Sequence, residues 1–135
     1  MIAVTPGQAG DSPALLPLLA ELRVPRLGRG RPRTRPDALR GDKAYSSRAI
    51  RAHLRARAIT AVIPEPADQV RHRKNRGSAG GRPPAFDAED YKGRNVIERG
   101  FNVLKQWRGL ATRYDKHALT YRAGLVLAAI LIWLR

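Results

Sequence analysis

Two stretches of this chain cannot join a hydrophobic core, and they decide where a core can form. The first runs from Arg23 to Pro36, where Pro25, Gly28, Gly30, Pro32 and Pro36 interleave with Arg26, Arg29, Arg31, Arg33 and Arg35. The second runs from Pro66 to Pro84 and carries Arg71, His72, Arg73, Lys74, Arg76 and Arg82. Segments so rich in charge, proline and glycine bury too little apolar surface to offset the entropy lost on ordering them. Both are expected to be basic loops, and the core must come from the segments around them.

Those segments carry local signals. Ile2 to Thr5 reads as the end of a strand that turns at Pro6-Gly7. Asp11-Ser12-Pro13 opens a helix that continues through Leu15, Leu16, Leu18, Leu19 and Leu22. Asp37 to Gly41 forms a short strand ending at Asp42. Ser46 or Ser47 caps a helix through Arg57 with Ile50 and Leu54 as its inner face. Ile59 to Ile63 is a β-branched run closed by Pro64, expected as a buried strand. Asp87 to about Trp107 reads as one long helix, and Lys116 to Trp133 as a last, more apolar one. The order strand–helix–strand–helix–strand–loop–helix–helix points to an α/β architecture in a single domain, residues 1–135.

Charge narrows the function classes. Lys and Arg total 26 against 11 acidic residues, for a net charge of +15. A surplus of that size favours a polyanionic partner: nucleic acid first, an anionic membrane surface second. Most of the cations are Arg, whose planar fork grips phosphate through paired hydrogen bonds. There is no Cys, which excludes disulfides and thiolate metal sites and fits a cytoplasmic protein. The first ten residues lack the pattern of a signal peptide. The apolar run Gly124 to Leu134, bracketed by Arg122 and Arg135, is about half the roughly 20 residues that span a bilayer. It is expected to be a buried helix and not a membrane span.

The helix after Asp87 carries the sharpest pattern. With about 100° per residue, Tyr91, Arg94, Glu98 and Lys105 fall within a stripe roughly 60° wide. Val96, Ile97, Val103, Leu104 and Trp107 fall opposite, with Gly93 and Gly100 where a missing side chain permits close approach to a sheet. Geometry alone also admits an ordinary amphipathic helix with an Arg94–Glu98 pair. The spacing Y-x2-R-x3-E-x6-K, however, resembles the signature around the third catalytic carboxylate of bacterial insertion-sequence DDE transposases, in the group that includes the insertion-sequence-four and insertion-sequence-five families. Its neighbours strengthen the likeness: Arg94-Asn95-Val96-Ile97-Glu98-Arg99, Leu104-Lys105-Gln106-Trp107-Arg108, and Ala111 to Lys116. Upstream, Gly41-Asp42-Lys43-Ala44-Tyr45-Ser46-Ser47 is similar to the segment around that family's second catalytic Asp. Thr5 to Ser12 and Gly80 to Phe86 resemble further segments of the group, so the likeness covers essentially the whole chain.

The resemblance implies a ribonuclease-H-like α/β domain that cleaves and joins DNA by phosphoryl transfer. It implies two Mg²⁺ ions held by Asp, Asp and Glu, hard oxygen ligands for a hard cation. Residue by residue, Asp42 matches the second Asp and Glu98 the Glu; without the likeness, Asp42 reads as a turn or cap residue. Tyr91, Arg94 and Lys105 would face DNA. The cations Arg71, Arg73, Lys74 and Arg76, and those from Arg29 to Arg35, would either track the DNA backbone or remain solvated. No residue matches the first catalytic Asp: Asp11 matches a helix start, and Asp37 lies too close to Asp42. The fold is therefore expected to be an incomplete ribonuclease-H-like domain lacking its first strands, with a C-terminal helical pair. Such a chain should be marginally stable or prone to aggregate, and inactive alone. It would be either a gene remnant or one half of a transposase, completed by the upstream half or working as a homo-oligomer. A non-enzymatic, basic nucleic-acid-binding protein is the alternative, and a membrane-surface protein anchored through Gly124 to Leu134 a further one.

Overall fold

Around residue 50 a cap, an amphipathic repeat and a stop signal follow one another within a dozen residues, and the structure is built outward from there. The computed structural model describes residues 2–6 and 8–134; Met1, the Gly7 of the expected turn, and Arg135 lie outside the described residues. The Ser47 hydroxyl accepts a hydrogen bond from Ile50 N at 3.2 Å and starts a helix at Arg48–Ala56 (α2). Ile50 and Leu54, four residues apart, turn inward and are buried. At the other end Ala58 N donates to Arg55 O (3.0 Å) and Ile59 N to Leu54 O (2.8 Å). This pair of bonds closes the helix through a residue in left-handed conformation, Ala58 at φ 51. The chain then enters a strand at Thr60–Val62 (β2) without an intervening loop.

That strand pairs in parallel with Ala38–Arg40 (β1), in the register Ala38↔Thr60, Leu39↔Ala61, Arg40↔Val62. Parallel neighbours need a crossover, and α2 supplies it. Leu19, Ile50, Leu54, Ile59 and Ile63 form the buried cluster, with Leu15, Leu16, Leu39, Tyr45 and Ala61 packed against it. Each buried aliphatic side chain contributes about 1.5–3 kcal/mol. Leu15, Leu16 and Leu19 come from a helix at Asp11–Glu21 (α1), which continues through Pro17. The mixed α/β class expected from the sequence is thus present, with a sheet of two strands.

The chain divides into two compact units, one continuous from Leu15 to Arg94 and one made of Met1–Ala14 and Asn95–Arg135. In the continuous unit the first basic stretch is a loop, as expected. Its neck is drawn together by Val24 and Arg33, whose backbones exchange hydrogen bonds of 2.9 and 2.8 Å. Arg57 ties the loop down by donating to Leu19 O (3.1 Å) and Thr34 O (2.7 Å). Arg33 pairs with Asp37 and, by hydrogen bond and charge, holds that carboxyl below the usual carboxylate range.

The second basic stretch departs from expectation. Residues 66–84 are not a loop throughout: Ala67–Asn75 is a helix (α3), followed by a tight turn of 3-10 helix at Gly77–Gly80. Pro66 stands at the N-cap, Asp68 lies in the first turn, and His72, Arg73 and Lys74 lie in the last, the charge order that complements the helix dipole. Gln69 holds the helix to the rest of the unit. Its Nε2 donates to Ser46 O (3.1 Å), and its Oε1 accepts from the Ser46 hydroxyl (3.1 Å). A Cβ on Gly80 would stand 2.1 Å from Arg73 O, so only glycine fits where the turn folds back on α3.

The long helix expected from Asp87 to Trp107 is three helices, at Ala88–Lys92 (α4), Asn95–Lys105 (α5) and Arg108–Ala111 (α6). Arg40 explains the first break. Its Nε donates to Asp90 O (3.1 Å), which also accepts from Gly93 N (3.1 Å) in a tightened turn. Ile2 to Thr5 form no strand among the described residues; each strand of the sheet pairs with the other. The last helix, Ala118–Trp133 (α7), packs with α5 and α6. Tyr121 Oη donates to Leu110 O (3.0 Å), and Gly124 sits against Leu110. Contrary to expectation α7 is not a buried helix: Ala128 is buried, whereas Leu127, Ile130, Leu131 and Trp133 are exposed. On α5 the face expected to be buried also differs, since Val96 and Ile97 are exposed and nothing approaches the Gly100 position. The neighbouring helix α6 spans a single turn, too little to cover both.

Candidate active site

β1 ends at Arg40, and the chain turns through buried Gly41 into Asp42. Gly41 N donates to Val62 O at 3.2 Å, extending the pairing one residue past the strand. A side chain at Gly41 would press on Tyr45 at 3.3 Å. Asp42 is thereby set at the carboxyl end of β1, half-buried. The carboxyl ends of parallel strands are where open α/β sheets bind ligands. Its Oδ1 accepts from Ala44 N (2.8 Å) and caps the 3-10 turn Lys43–Tyr45; among the described residues Oδ2 accepts no hydrogen bond. The cap reading of Asp42 is therefore realised through Oδ1 alone.

Glu98 lies in the first turn of α5, exposed, and Lys105 in its last turn. Tyr91 and Arg94 belong to the continuous unit. The Arg94 guanidinium stands 5.6 Å over the Tyr91 ring, whose other neighbour is Phe86 at 5.4 Å. The single helix expected to carry Tyr91, Arg94, Glu98 and Lys105 is interrupted at Gly93 and Arg94: Tyr91 lies on α4, Arg94 in the turn, and Glu98 and Lys105 on α5, so one wheel does not phase all four. Among the described residues no group of three or more His, Asp or Glu is arranged to hold a metal ion.

Of the α3 cations, Arg73 forms an ion pair with Glu65, which holds the guanidinium above its ordinary value. Arg71, Lys74 and Arg76 are exposed. A groove of about 660 Å³ opens between α2 and α3, lined by Arg48, Arg51, Arg55, Arg73, Arg76 and Arg82 and by the single carboxylate Glu65. It shares Arg51, Arg55, Arg82 and Pro84 with a second hollow, of about 1000 Å³, between β2 and the segment Arg82–Asp87. Sequence reasoning counted Arg82 only as one cation of a basic loop and passed over Arg48 and Arg55. The signal was present in α2, where arginines recur at i, i+3 and i+7.

Comparison with known proteins decides the family. The family model described as Transposase DDE domain matches residues 1–133. This chain belongs to the DDE transposase family. The transposase chain is 32% identical over 134 residues to a Brucella ovis protein named "Putative transposase for insertion sequence element IS6501", covering 99% of this chain and 87% of the relative. It is also 32% identical over 129 residues to a Burkholderia cepacia protein bearing the same description for IS402, covering 96% of this chain and 54% of the relative. The transposase chain thus spans about half the length of that second protein. No solved structure matches it. Among the described residues no helix is long and apolar enough to cross a membrane.

Proposed function

We propose that the chain is the C-terminal part of an insertion-sequence DDE transposase catalytic domain of ribonuclease-H-like type. It would bind transposon-end DNA and take part in metal-dependent cleavage and strand transfer. The observation that carries this reading is the family match along residues 1–133, read together with Asp42 at the carboxyl end of β1. In this reading Asp42 and Glu98 are two of the three carboxylates that hold divalent metal, Mg²⁺ by the hardness of the donors. Their chemistry fits that ion: both are carboxylates, Asp42 keeps Oδ2 unengaged, and Glu98 is exposed. When bound, the metal would polarise a phosphoryl oxygen and activate the attacking one. Gly41 and the Ala44 amide hold the Asp42 carboxylate in one orientation. Tyr91, Arg94 and Lys105, with Arg71, Arg73, Lys74 and Arg76, would contact the DNA backbone; of these, Arg73 must share its charge with Glu65.

These 135 residues supply two of the three carboxylates, so the polypeptide alone is expected to be inactive in DNA cleavage. Adding an upstream segment with the first Asp, or a complete partner copy, should restore Mg²⁺-dependent cutting of transposon-end DNA. In the restored enzyme Asp42→Asn and Glu98→Gln should each lower the rate by a factor of roughly a thousand, the loss of several kcal/mol of charge stabilisation. Unchanged rates in both variants would sink the metal assignment and favour the rival reading, a basic nucleic-acid-binding protein without chemistry, for which the arginine groove also speaks.

A further inference from the structure

The arginine-lined groove has more positive charge than its own walls can neutralise. Arg73 is paired with Glu65, the one carboxylate on the α2–α3 side. Asp90, in the adjoining hollow, is paired with Arg40, and Asp87 caps α4 by accepting from Glu89 N and Asp90 N. Arg51 is spent on structure: it donates to the Ser46 hydroxyl (2.9 Å) and to Ile63 O (2.8 Å), half-buried. Arg48, Arg55, Arg76 and Arg82 remain, and among the described residues none has a carboxylate partner or a side-chain hydrogen bond. Like charges gathered without partners weaken a fold unless a polyanion takes up the repulsion.

The groove is also stiff. Ser46, buried beneath it, joins three elements: its hydroxyl bonds Gln69 of α3 and Arg51 of α2, and its carbonyl accepts from Gln69. Gln69, His72, Arg73 and Arg76 line it at i, i+3, i+4 and i+7, one face of α3. The Gly80 contact with Arg73 O fixes where the chain turns back to carry Arg82 across. Length selects the ligand. From Arg48 to Arg55 is seven residues of helix, about 10 Å. Phosphates follow one another about every 3.4 Å along the axis of one DNA strand. Because the strand winds round the axis as it rises, a straight stripe of that length meets about two successive phosphates, whereas a single phosphate ion reaches one end of it.

We propose that the groove between α2, α3 and the Arg82–Asp87 segment is a binding site for the phosphate backbone of double-stranded DNA, held by Arg48, Arg55, Arg76 and Arg82. The inference rests on DNA as the substrate and adds a site to it. Ser46 follows the turn that Asp42 caps, and Glu65 follows the carboxyl end of β2 as Asp42 follows that of β1. One end of the groove, at Ser46, Arg48 and Glu65, thus lies towards the end of the sheet that carries Asp42. It guides DNA towards that carboxylate and takes no part in the chemistry.

The test is fluorescence anisotropy of the full chain with a labelled DNA duplex about two helical turns long, across a salt series and with EDTA present. Arg48→Gln/Arg55→Gln is compared with Arg113→Gln/Lys116→Gln, which removes the same charge from the exposed loop before α7. The groove variant should bind roughly tenfold more weakly and lose about two from the slope of log K against log salt. The loop variant should change by less than about threefold. Equal losses in the two variants, or none in the groove variant, would overturn the proposal. Full competition by inorganic pyrophosphate at the same phosphate concentration would overturn it too, since it would mark a small-anion site. Should the groove variant unfold, phenylglyoxal labelling of the unmodified chain decides: DNA should shield Arg48, Arg55 and Arg82, and full labelling of all three in the complex overturns the site. Because EDTA removes metal, loss of the cleavage reading would leave this result untouched.

Discussion

Ala58 occupies a left-handed position after a helix, which is usually given to glycine. Its φ of 51 lies in the left-handed region, where a Cβ crowds the following carbonyl at a cost of roughly 1–2 kcal/mol. The position cannot relax, because Ile59 N must reach Leu54 O to bring Ile59 into the core. Ala58→Gly should therefore stabilise the chain by about 1 kcal/mol, the removed strain less glycine's greater entropy in the unfolded state. Urea unfolding would read this as a higher midpoint at constant slope; an unchanged or lower midpoint would contradict it. Other residues were plain in the sequence. Ile50 and Leu54 announced themselves by spacing, Ser47 by its place before them. Asp42 was legible as a cap, and the metal role proposed for it came only through the family likeness. Arg51 was not legible, since nothing local tells a solvated arginine from one that bonds a buried serine five residues back and a backbone carbonyl twelve residues ahead.

At the scale of elements, composition misled where geometry would not have. α3 is hidden in a run of basic residues that reads as disordered, yet Pro66, Asp68 and the cations of its last turn stand in the order a helix dipole favours. Its stability comes from outside itself, from Gln69 on Ser46 and Arg73 on Glu65, and such partners do not appear in a local pattern. The break at Gly93 was missed for the same reason: the competing donor, Arg40, lies far back in the chain. The return after α3 depends on Gly80. Gly80→Ala would drive a methyl group to 2.1 Å from Arg73 O, so the turn must open. The expected result is a loss of about 2 kcal/mol or more, with weaker DNA binding as Arg82 leaves the groove. Urea unfolding together with the anisotropy assay measures both, and a variant of native stability would contradict the close approach.

For the molecule as a whole, two surfaces set its behaviour in solution. One is the charge, +15, which keeps copies apart at low salt. The other is apolar: Val96, Ile97 and Phe101 on α5, and Leu127, Ile130, Leu131 and Trp133 on α7, are exposed. Exposed surface of this kind promotes association once salt screens the charge. Ile97→Ser/Phe101→Ser should therefore reduce light scattering above about 0.3 M salt while leaving helix content by circular dichroism unchanged. Scattering as strong as that of the parent chain would place the sticky surface elsewhere. The two units also differ in how the chain supplies them, and synthesis meets that difference first. Leu15–Arg94 is complete in one unbroken stretch, whereas the other unit joins the first residues to the last. At roughly 5–20 residues per second, translating residues 95–135 takes about 2–8 s. Residues 8–14 are therefore made seconds before the segment they cluster with, whereas Leu15–Arg94 emerges in one piece.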